Sequence, residues 1–183
     1  MSPQTPIPEA NYAPKWAGDT RPTLPLVADE REFLVTYLDY LRATLEQKVT
    51  GVPDERLAER TMPPSTLTLH GLVRHIAGVE QWWFHYQFAG DDAPHIFYSD
   101  EDPDQDFEDL SGPFADDLAT WRRMCERSRE IVATHSLDDT GTVERTGESI
   151  SLRAILLKMI VEYARHCGHA DLLREAIDGA TGH

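Results

Sequence analysis

The chain has few cysteines, a deficit of basic residues and no long apolar run. Its two cysteines, Cys125 and Cys167, lie on different predicted helices, and two reduced thiols are favoured over a disulfide between them. Lys and Arg number 17 against 32 Asp and Glu, a formal net charge of −15. That balance argues against a nucleic-acid-binding surface, because phosphate recognition requires clustered basic side chains. No segment approaches the roughly 20 apolar residues needed to span a bilayer.

The start of the sequence also lacks the apolar core of a secretory signal peptide. Residues 1–28 contain six prolines, and because proline fixes φ and has no amide donor, they predict an extended N-terminal arm. The sequence is equally compatible with an arm that packs through Tyr12 and Trp16 and with a disordered tail. We expect a soluble cytoplasmic protein in which residues 29–179 form one domain and residues 180–183 form a short tail.

Four amphipathic segments with helical periodicity follow the arm, and no comparable segment has the two-residue period of a strand. The segments cover residues 29–50, 68–89, 113–135 and 151–177. Asp29 is suited to cap the first helix and Pro113 to begin the third. Either Ser149 or Ser151 is suited to cap the fourth helix, and Gly179 to end it. Four helices of this length predict an all-α four-helix bundle.

The fourth segment carries three potential metal ligands on one face. Glu162, His166 and His169 are spaced at i, i+4 and i+7, which places them within roughly 60° of one another on a helix. The apolar Met159 and Leu173 lie on or beside the same face, so the ligand-type groups are directed toward the interior. Buried polar groups are costly unless they are paired or bound to something. This face therefore predicts a partner on another helix.

His75 is the best candidate for that partner, because it lies in the middle of the apolar stripe of the second segment. A set of His75, Glu162, His166 and His169 suits Zn²⁺, Ni²⁺, Fe²⁺ or Mn²⁺ and does not select among them. Three protein ligands with open positions would form a catalytic Lewis-acid site. Glu162 and His169 compete for the third place beside the two firmest candidates, His75 and His166. The alternative is an intrahelical ion pair of Glu162 with His166, with His169 on the polar surface.

Several ring-bearing side chains, among them Trp82, Trp83, His85 and Tyr86, follow His75 by one to three turns. We expect Trp82, Trp83 and Tyr86 to line a pocket over the metal, with an aromatic core layer as the alternative. Arg165 is placed to hold an acidic substrate, although a surface Arg paired with a helix carboxylate is the commoner case. Glu80 is expected at the solvated rim of the bundle, and residues 93–112 are expected to form a solvated acidic loop.

Two blocks of sequence resemble the DinB-like superfamily. Leu69–Glu80, followed by Trp82-Trp83-Phe84, is similar to its second helix, and Glu162–Glu175 is similar to the fourth helix of one uncharacterised branch. The resemblance covers most of residues 25–179 and implies a four-helix bundle in up-down-down-up order. It also implies a divalent metal held by one His of the second helix and two ligands of the fourth.

The resemblance implies a particular ligand pair on the fourth helix. Many relatives carry two His residues, separated by three positions, where this chain has Glu162 and His166. The related mycothiol-dependent maleylpyruvate isomerases look similar in using a Glu and a His there. His169 is an addition that the general pattern does not require.

The resemblance also implies an activity. Characterised relatives include thiol-dependent isomerases and thiol S-transferases that use mycothiol, bacillithiol or glutathione. The resemblance therefore favours a metal-dependent S-transferase. In such an enzyme the metal activates a low-molecular-weight thiol, which attacks a small electrophile. A metal-dependent hydrolase or isomerase and a non-catalytic metal-binding stress-response module are the alternatives. A homodimer through exposed helix faces or the arm is compatible with the sequence.

Overall fold

A computed structural model describes residue 19, residues 21–99, residue 102 and residues 104–181. Most of the predicted N-terminal arm and the last two residues of the predicted tail lie outside the described residues. The described chain contains α1 (Glu30–Val49), α2 (Asp54–Leu57), α3 (Leu69–Glu80), a π-helical segment (Gln81–Ala89) that continues α3, α4 (Gln105–Glu108), α5 (Phe114–Thr134), β1 (Thr140–Thr142), β2 (Ser149–Ser151) and α6 (Leu152–Asp178). The all-α prediction is confirmed, and the two strands form only a small antiparallel hairpin. None of the described helices is long and apolar enough to cross a membrane.

The ends of the long helices are set by the capping residues that the sequence indicated. The Asp29 carboxylate accepts a hydrogen bond from the backbone N–H of Glu32 at 2.8 Å, and the Ser151 hydroxyl accepts one from Ala154 at 3.2 Å. Such caps satisfy amides that have no partner inside the helix. Gly179 ends α6 with a φ of 75°, a conformation that costs glycine little because it has no Cβ.

The four long helices follow the up-down-down-up order. α1 runs parallel to α6, α3 with its π-helical continuation runs parallel to α5, and the two pairs are antiparallel to each other. The contacts that define these directions are Glu30–Arg153 and Thr50–Arg174 between α1 and α6, His70–Asp117 and His85–Ser128 between α3 and α5, and His75–His166 and Trp83–Lys158 between α3 and α6.

A buried polar network joins all four long helices. Both carboxylate oxygens of Glu80, which is 0% exposed, accept hydrogen bonds from the Arg42 guanidinium at 2.8 Å. The Tyr163 hydroxyl also donates to Glu80, at 2.7 Å, and Trp121 Nε1 donates to Tyr163 at 2.9 Å. Burial opposes ionisation of Glu80, but the Arg42 guanidinium lowers the pKa of this carboxyl below its usual range. The prediction that Glu80 lies at the solvated rim is wrong, because Arg42 compensates its charge in the core.

The connection between the π-helical segment and α5 packs against the outer face of α3. Gly71 and Gly78, two turns apart, make this close approach feasible. A Cβ on Gly71 would lie 2.8 Å from Cδ1 of Phe107, and one on Gly78 would lie 3.1 Å from Cε1 of Tyr98. Asp106, in the same connection, is only 6% exposed. The expectation of a solvated loop is therefore wrong for this part of the connection.

Candidate metal centre

Side chains from α3 and α6 bring three ligand atoms together. His75, Glu162 and His166 each offer one atom, and these atoms all lie within 4.8 Å of one another. The imidazole rings of His75 and His166 have centroids 4.7 Å apart, and Glu162 Oε2 lies 3.5 Å from Nε2 of His166. Two imidazoles and one carboxylate are a common donor set for divalent transition metals. The residues present therefore fit such an ion.

His166 is held in the neutral form that can bind a metal. Burial lowers the pKa of His166 from 6.5 to about 3, and positive charge on His75, His169 or Arg165 would act in the same direction. A neutral imidazole keeps a lone pair available as a ligand, so a metal would not have to displace a proton from it near neutral pH.

Metal-free protein should lose stability as the pH falls below about 6.5. Between that pH and about 3, His166 takes up a proton in the unfolded chain but not in the folded chain. The free energy of unfolding therefore rises with pH in this window, by at most about 1.4 kcal/mol per pH unit for one proton. Urea unfolding of chelator-treated protein at several pH values measures this slope. His166→Gln, which cannot titrate, should flatten it, and equal slopes in the two proteins would contradict the prediction.

Asp106 orients His75 from the side opposite the ligand cluster. Nδ1 of His75 lies 2.8 Å from Oδ2 of Asp106, and the ring stacks on Phe107 with centroids 5.1 Å apart. Because Nδ1 donates to the carboxylate, Nε2 is the nitrogen left free for a metal. Asp106 was not predicted from the sequence, because it looks like any other carboxylate in an acidic connection. The sequence feature that could have indicated this contact is the pair of glycines on α3, Gly71 and Gly78, because they let the connection that carries Asp106 pack closely against the helix.

His169 lies beside the three-residue cluster and is not part of it. Its Nδ1 is 3.4 Å from Nδ1 of His166, and the two rings meet edge to face with centroids 5.2 Å apart. Glu162 is oriented by Arg165, which donates to it at 2.9 Å. On this geometry Glu162, and not His169, is the third candidate ligand.

A groove of about 390 Å³ opens beside Glu162, between the π-helical segment and α6. Its walls are Trp83, Leu157, Lys158, Val161, Glu162 and Arg165. The Lys158 ammonium lies 4.8 Å from the centre of the Trp83 ring, so an aromatic face and a cation form one end. Because Glu162 belongs to both the groove and the ligand cluster, a molecule in the groove would lie next to the candidate metal centre.

Trp82 and Tyr86 lie away from this groove, contrary to the expectation that they share a pocket with Trp83. The Tyr86 hydroxyl donates to the carbonyl of Ala93, and both aromatic rings pack against His95. The expectation assumed ordinary helical spacing after Glu80. The chain is π-helical there, and the wider turn changes the direction in which later side chains point.

Comparison with known protein families supports the resemblance seen in the sequence. A family model described as mycothiol S-transferase matches residues 33–179, which include most of α1 and all of α3, α5 and α6. No match was found among curated proteins. The matched family is part of the DinB-like superfamily. Because the match covers most of the chain, this protein belongs to the mycothiol S-transferase family.

Proposed function

We propose that the protein is a divalent-metal-dependent S-transferase that joins mycothiol, or a related thiol such as bacillithiol, to a small electrophile. Membership of the family supports the thiol. The convergence of His75, Glu162 and His166 within 4.8 Å supports the metal and is the observation that carries the proposal. A bound divalent metal lowers the pKa of a coordinated thiol and so supplies a thiolate near neutral pH.

The residues of the chain itself provide and orient the ligands. His75, Glu162 and His166 would hold the ion, and Asp106 fixes the His75 ring by accepting a hydrogen bond at 2.8 Å. Arg165 donates to Glu162 and holds the carboxylate in place. Outer hydrogen bonds of this kind set the orientation and basicity of metal ligands.

The groove beside Glu162 gives the electrophile a binding site. Its volume of about 390 Å³ falls within the range of small-molecule pockets, roughly 300–1,000 Å³. Trp83, Leu157 and Val161 would cover the apolar part of the substrate and exclude water from it. Lys158 and Arg165 would contact its polar or anionic groups. In the reaction a carbon–sulfur bond forms, the leaving group departs with the bonding electrons, and the thiol proton passes to solvent.

A conjugation assay tests the proposed activity. The protein, loaded separately with Zn²⁺, Ni²⁺, Fe²⁺ or Mn²⁺, is incubated with monochlorobimane and either mycothiol, bacillithiol or glutathione. We expect a conjugate with mycothiol to form faster than in a protein-free control, and the excess rate to disappear in His166→Ala. Absence of an excess rate with every thiol and every metal would contradict the proposal.

Trp83→Ala should raise KM for an aromatic electrophile by roughly 2- to 10-fold. The substitution removes an aromatic contact of the kind that contributes about 0.5–1.5 kcal/mol, and 1.4 kcal/mol corresponds to a factor of about 10. Trp82→Ala is the matched control, because Trp82 precedes Trp83 directly but packs against His95 outside the groove. Steady-state kinetics of both variants make the comparison. Equal effects of the two substitutions would exclude the groove as the electrophile site.

Asp106→Ala should weaken metal binding by roughly 10- to 100-fold, the range for loss of a partner that orients a metal-binding histidine. Asp106→Asn should have a smaller effect, since the amide oxygen can still accept from His75. Competition with a chromophoric chelator measures the affinities. Glu108→Gln changes an exposed carboxylate of the same short helix and should bind metal like the parent. Parental affinity in Asp106→Ala would show that this carboxylate does not support the metal centre.

A further inference from the structure

A second buried cluster of charged side chains lies where α3 meets α5. Arg74, which is 7% exposed and directly precedes His75, donates from its guanidinium to Oδ2 of Asp117 at 3.1 Å. Nε2 of His70 lies 2.7 Å from the same carboxylate oxygen. Because Asp117 is in the first turn of α5, these contacts hold the Arg74 side chain between the two helices.

The same guanidinium reaches the connection that carries Asp106. It donates to the backbone carbonyl of Gln105 at 3.3 Å, and its central carbon lies 4.3 Å from the centre of the Phe97 ring. Arginine suits this position because its planar group donates in several directions and also stacks on an aromatic ring. Arg74 therefore contacts the connection at two points, and one of them, Gln105, directly precedes Asp106.

Two features of this contact cost the protein stability. Phe97 has a φ of 63°, in the left-handed region that is unfavourable for a residue with a Cβ. Nε of Arg74 and Oδ1 of Asp106 are buried and have no hydrogen-bond partner among the described residues, which is also unfavourable. Native proteins keep such costs at functional sites, so both features indicate that the contact has a functional role.

We propose that Arg74 is a positioning residue of the metal centre and that it acts through Asp106. By holding the carbonyl of Gln105, Arg74 fixes the backbone from which the Asp106 carboxylate reaches Nδ1 of His75 at 2.8 Å. That hydrogen bond orients the His75 ring and leaves Nε2 free for the ion. The contacts run in the order Asp117, Arg74, Gln105, Asp106 and His75. This inference rests on the metal centre of the proposed function.

A double-mutant cycle on metal affinity tests whether Arg74 acts through Asp106. Arg74→Met removes the guanidinium, while Asp117 keeps its contact with His70. Competition with a chromophoric chelator should show that Zn²⁺ binding weakens about 10-fold, the low end of the range for an outer partner of a ligand. In the Asp106→Ala background the same substitution should change the affinity by less than about 2-fold, because the group through which it acts is already gone. Equal effects in the two backgrounds would overturn the inference.

Arg174→Met is the matched control for the loss of a buried arginine. Arg174, 2% exposed, also pairs with a carboxylate, Asp178, and donates to backbone carbonyls, but it lies about 12 Å along α6 from His166. Its loss should lower the urea midpoint and leave the Zn²⁺ affinity unchanged. Arg74→Lys keeps a charge near Asp117 without the planar fork, and it replaces Arg74→Met if that variant does not fold. Parental affinity in the Arg74 variant, or an equal loss in Arg174→Met, would overturn the inference.

The His75 ring provides a second readout, which requires no bound metal. Long-range ¹H–¹⁵N correlation spectra of metal-free protein distinguish a proton on Nδ1 from one on Nε2 at about pH 8, where an unperturbed histidine is neutral. The parent should carry the proton on Nδ1, which donates to Asp106, and the Arg74 variant should show a mixture of both forms. A parent that binds no metal would refute the proposed function, whereas a parental His75 spectrum in the Arg74 variant would refute this inference alone.

Discussion

Replacing either His75 or His166 with alanine should remove nearly all bound divalent metal from the purified protein. Each histidine supplies one of the three ligand atoms that cluster among the described residues, and two remaining ligands hold an ion much less tightly than three. We expect the metal affinity to fall by about 100-fold or more, beyond the roughly 10- to 100-fold range for loss of an outer partner. Elemental analysis and chelator competition on the parent and both variants measure this loss, and thiol conjugation should fall with it.

Three further variants make this result specific. His135→Ala is the control, because His135 is exposed at the end of α5 and interacts locally with the Ile131 carbonyl. Its metal content should match that of the parent. Glu162→Gln should lose metal strongly and His169→Ala only weakly; the reverse order would make His169 the third ligand. Parental metal content in both His75→Ala and His166→Ala would refute the metal centre.

The fold was predictable because its signals are local. Asp29, Ser151 and Gly179 act on backbone groups within a few residues of themselves, so the helix ends can be inferred from short stretches of sequence. The apolar periodicity then determines which face of each helix is buried, and four such faces close into a bundle.

The clustering of the three candidate ligands was predictable for a related reason. Glu162 and His166 are one helical turn apart, so a wheel places them together without knowledge of the rest of the chain. His75 could be matched to them because it interrupts an apolar stripe, where a polar group needs a partner. The clustering of these three residues in the structure agrees with that inference.

The surroundings of the ligands could not be inferred in the same way. Asp106 reaches His75 only because a distant connection packs onto two glycines of α3. The positions of Trp82 and Tyr86 depend on a π-helical segment, which helical wheels do not anticipate. Arg42, the partner of Glu80, lies 38 residues earlier in the sequence, and no local pattern connects the two residues.

Replacing Glu80 with alanine should lower the free energy of unfolding by about 3–5 kcal/mol, the usual cost of removing one partner of a buried ion pair. The substitution leaves the buried Arg42 guanidinium without the two hydrogen bonds of 2.8 Å that it makes to Glu80. It also removes the acceptor of the Tyr163 hydroxyl. Urea unfolding at neutral pH measures the loss. Glu126→Gln, at an exposed carboxylate that pairs with Arg129, should cost less than about 1 kcal/mol.

The double variant Arg42→Met with Glu80→Met distinguishes the cost of an unpaired charge from the value of the pair itself. Apolar side chains of similar volume often replace a buried ion pair at little cost, so this variant should be more stable than Glu80→Ala.

Glu80 and Tyr163 lie on the same helices as His75 and Glu162, so the network also fixes the spacing of α3 and α6 at the metal centre. The double variant should therefore fold but bind metal more weakly than the parent. Parental stability in Glu80→Ala would show that the network does not hold the bundle together.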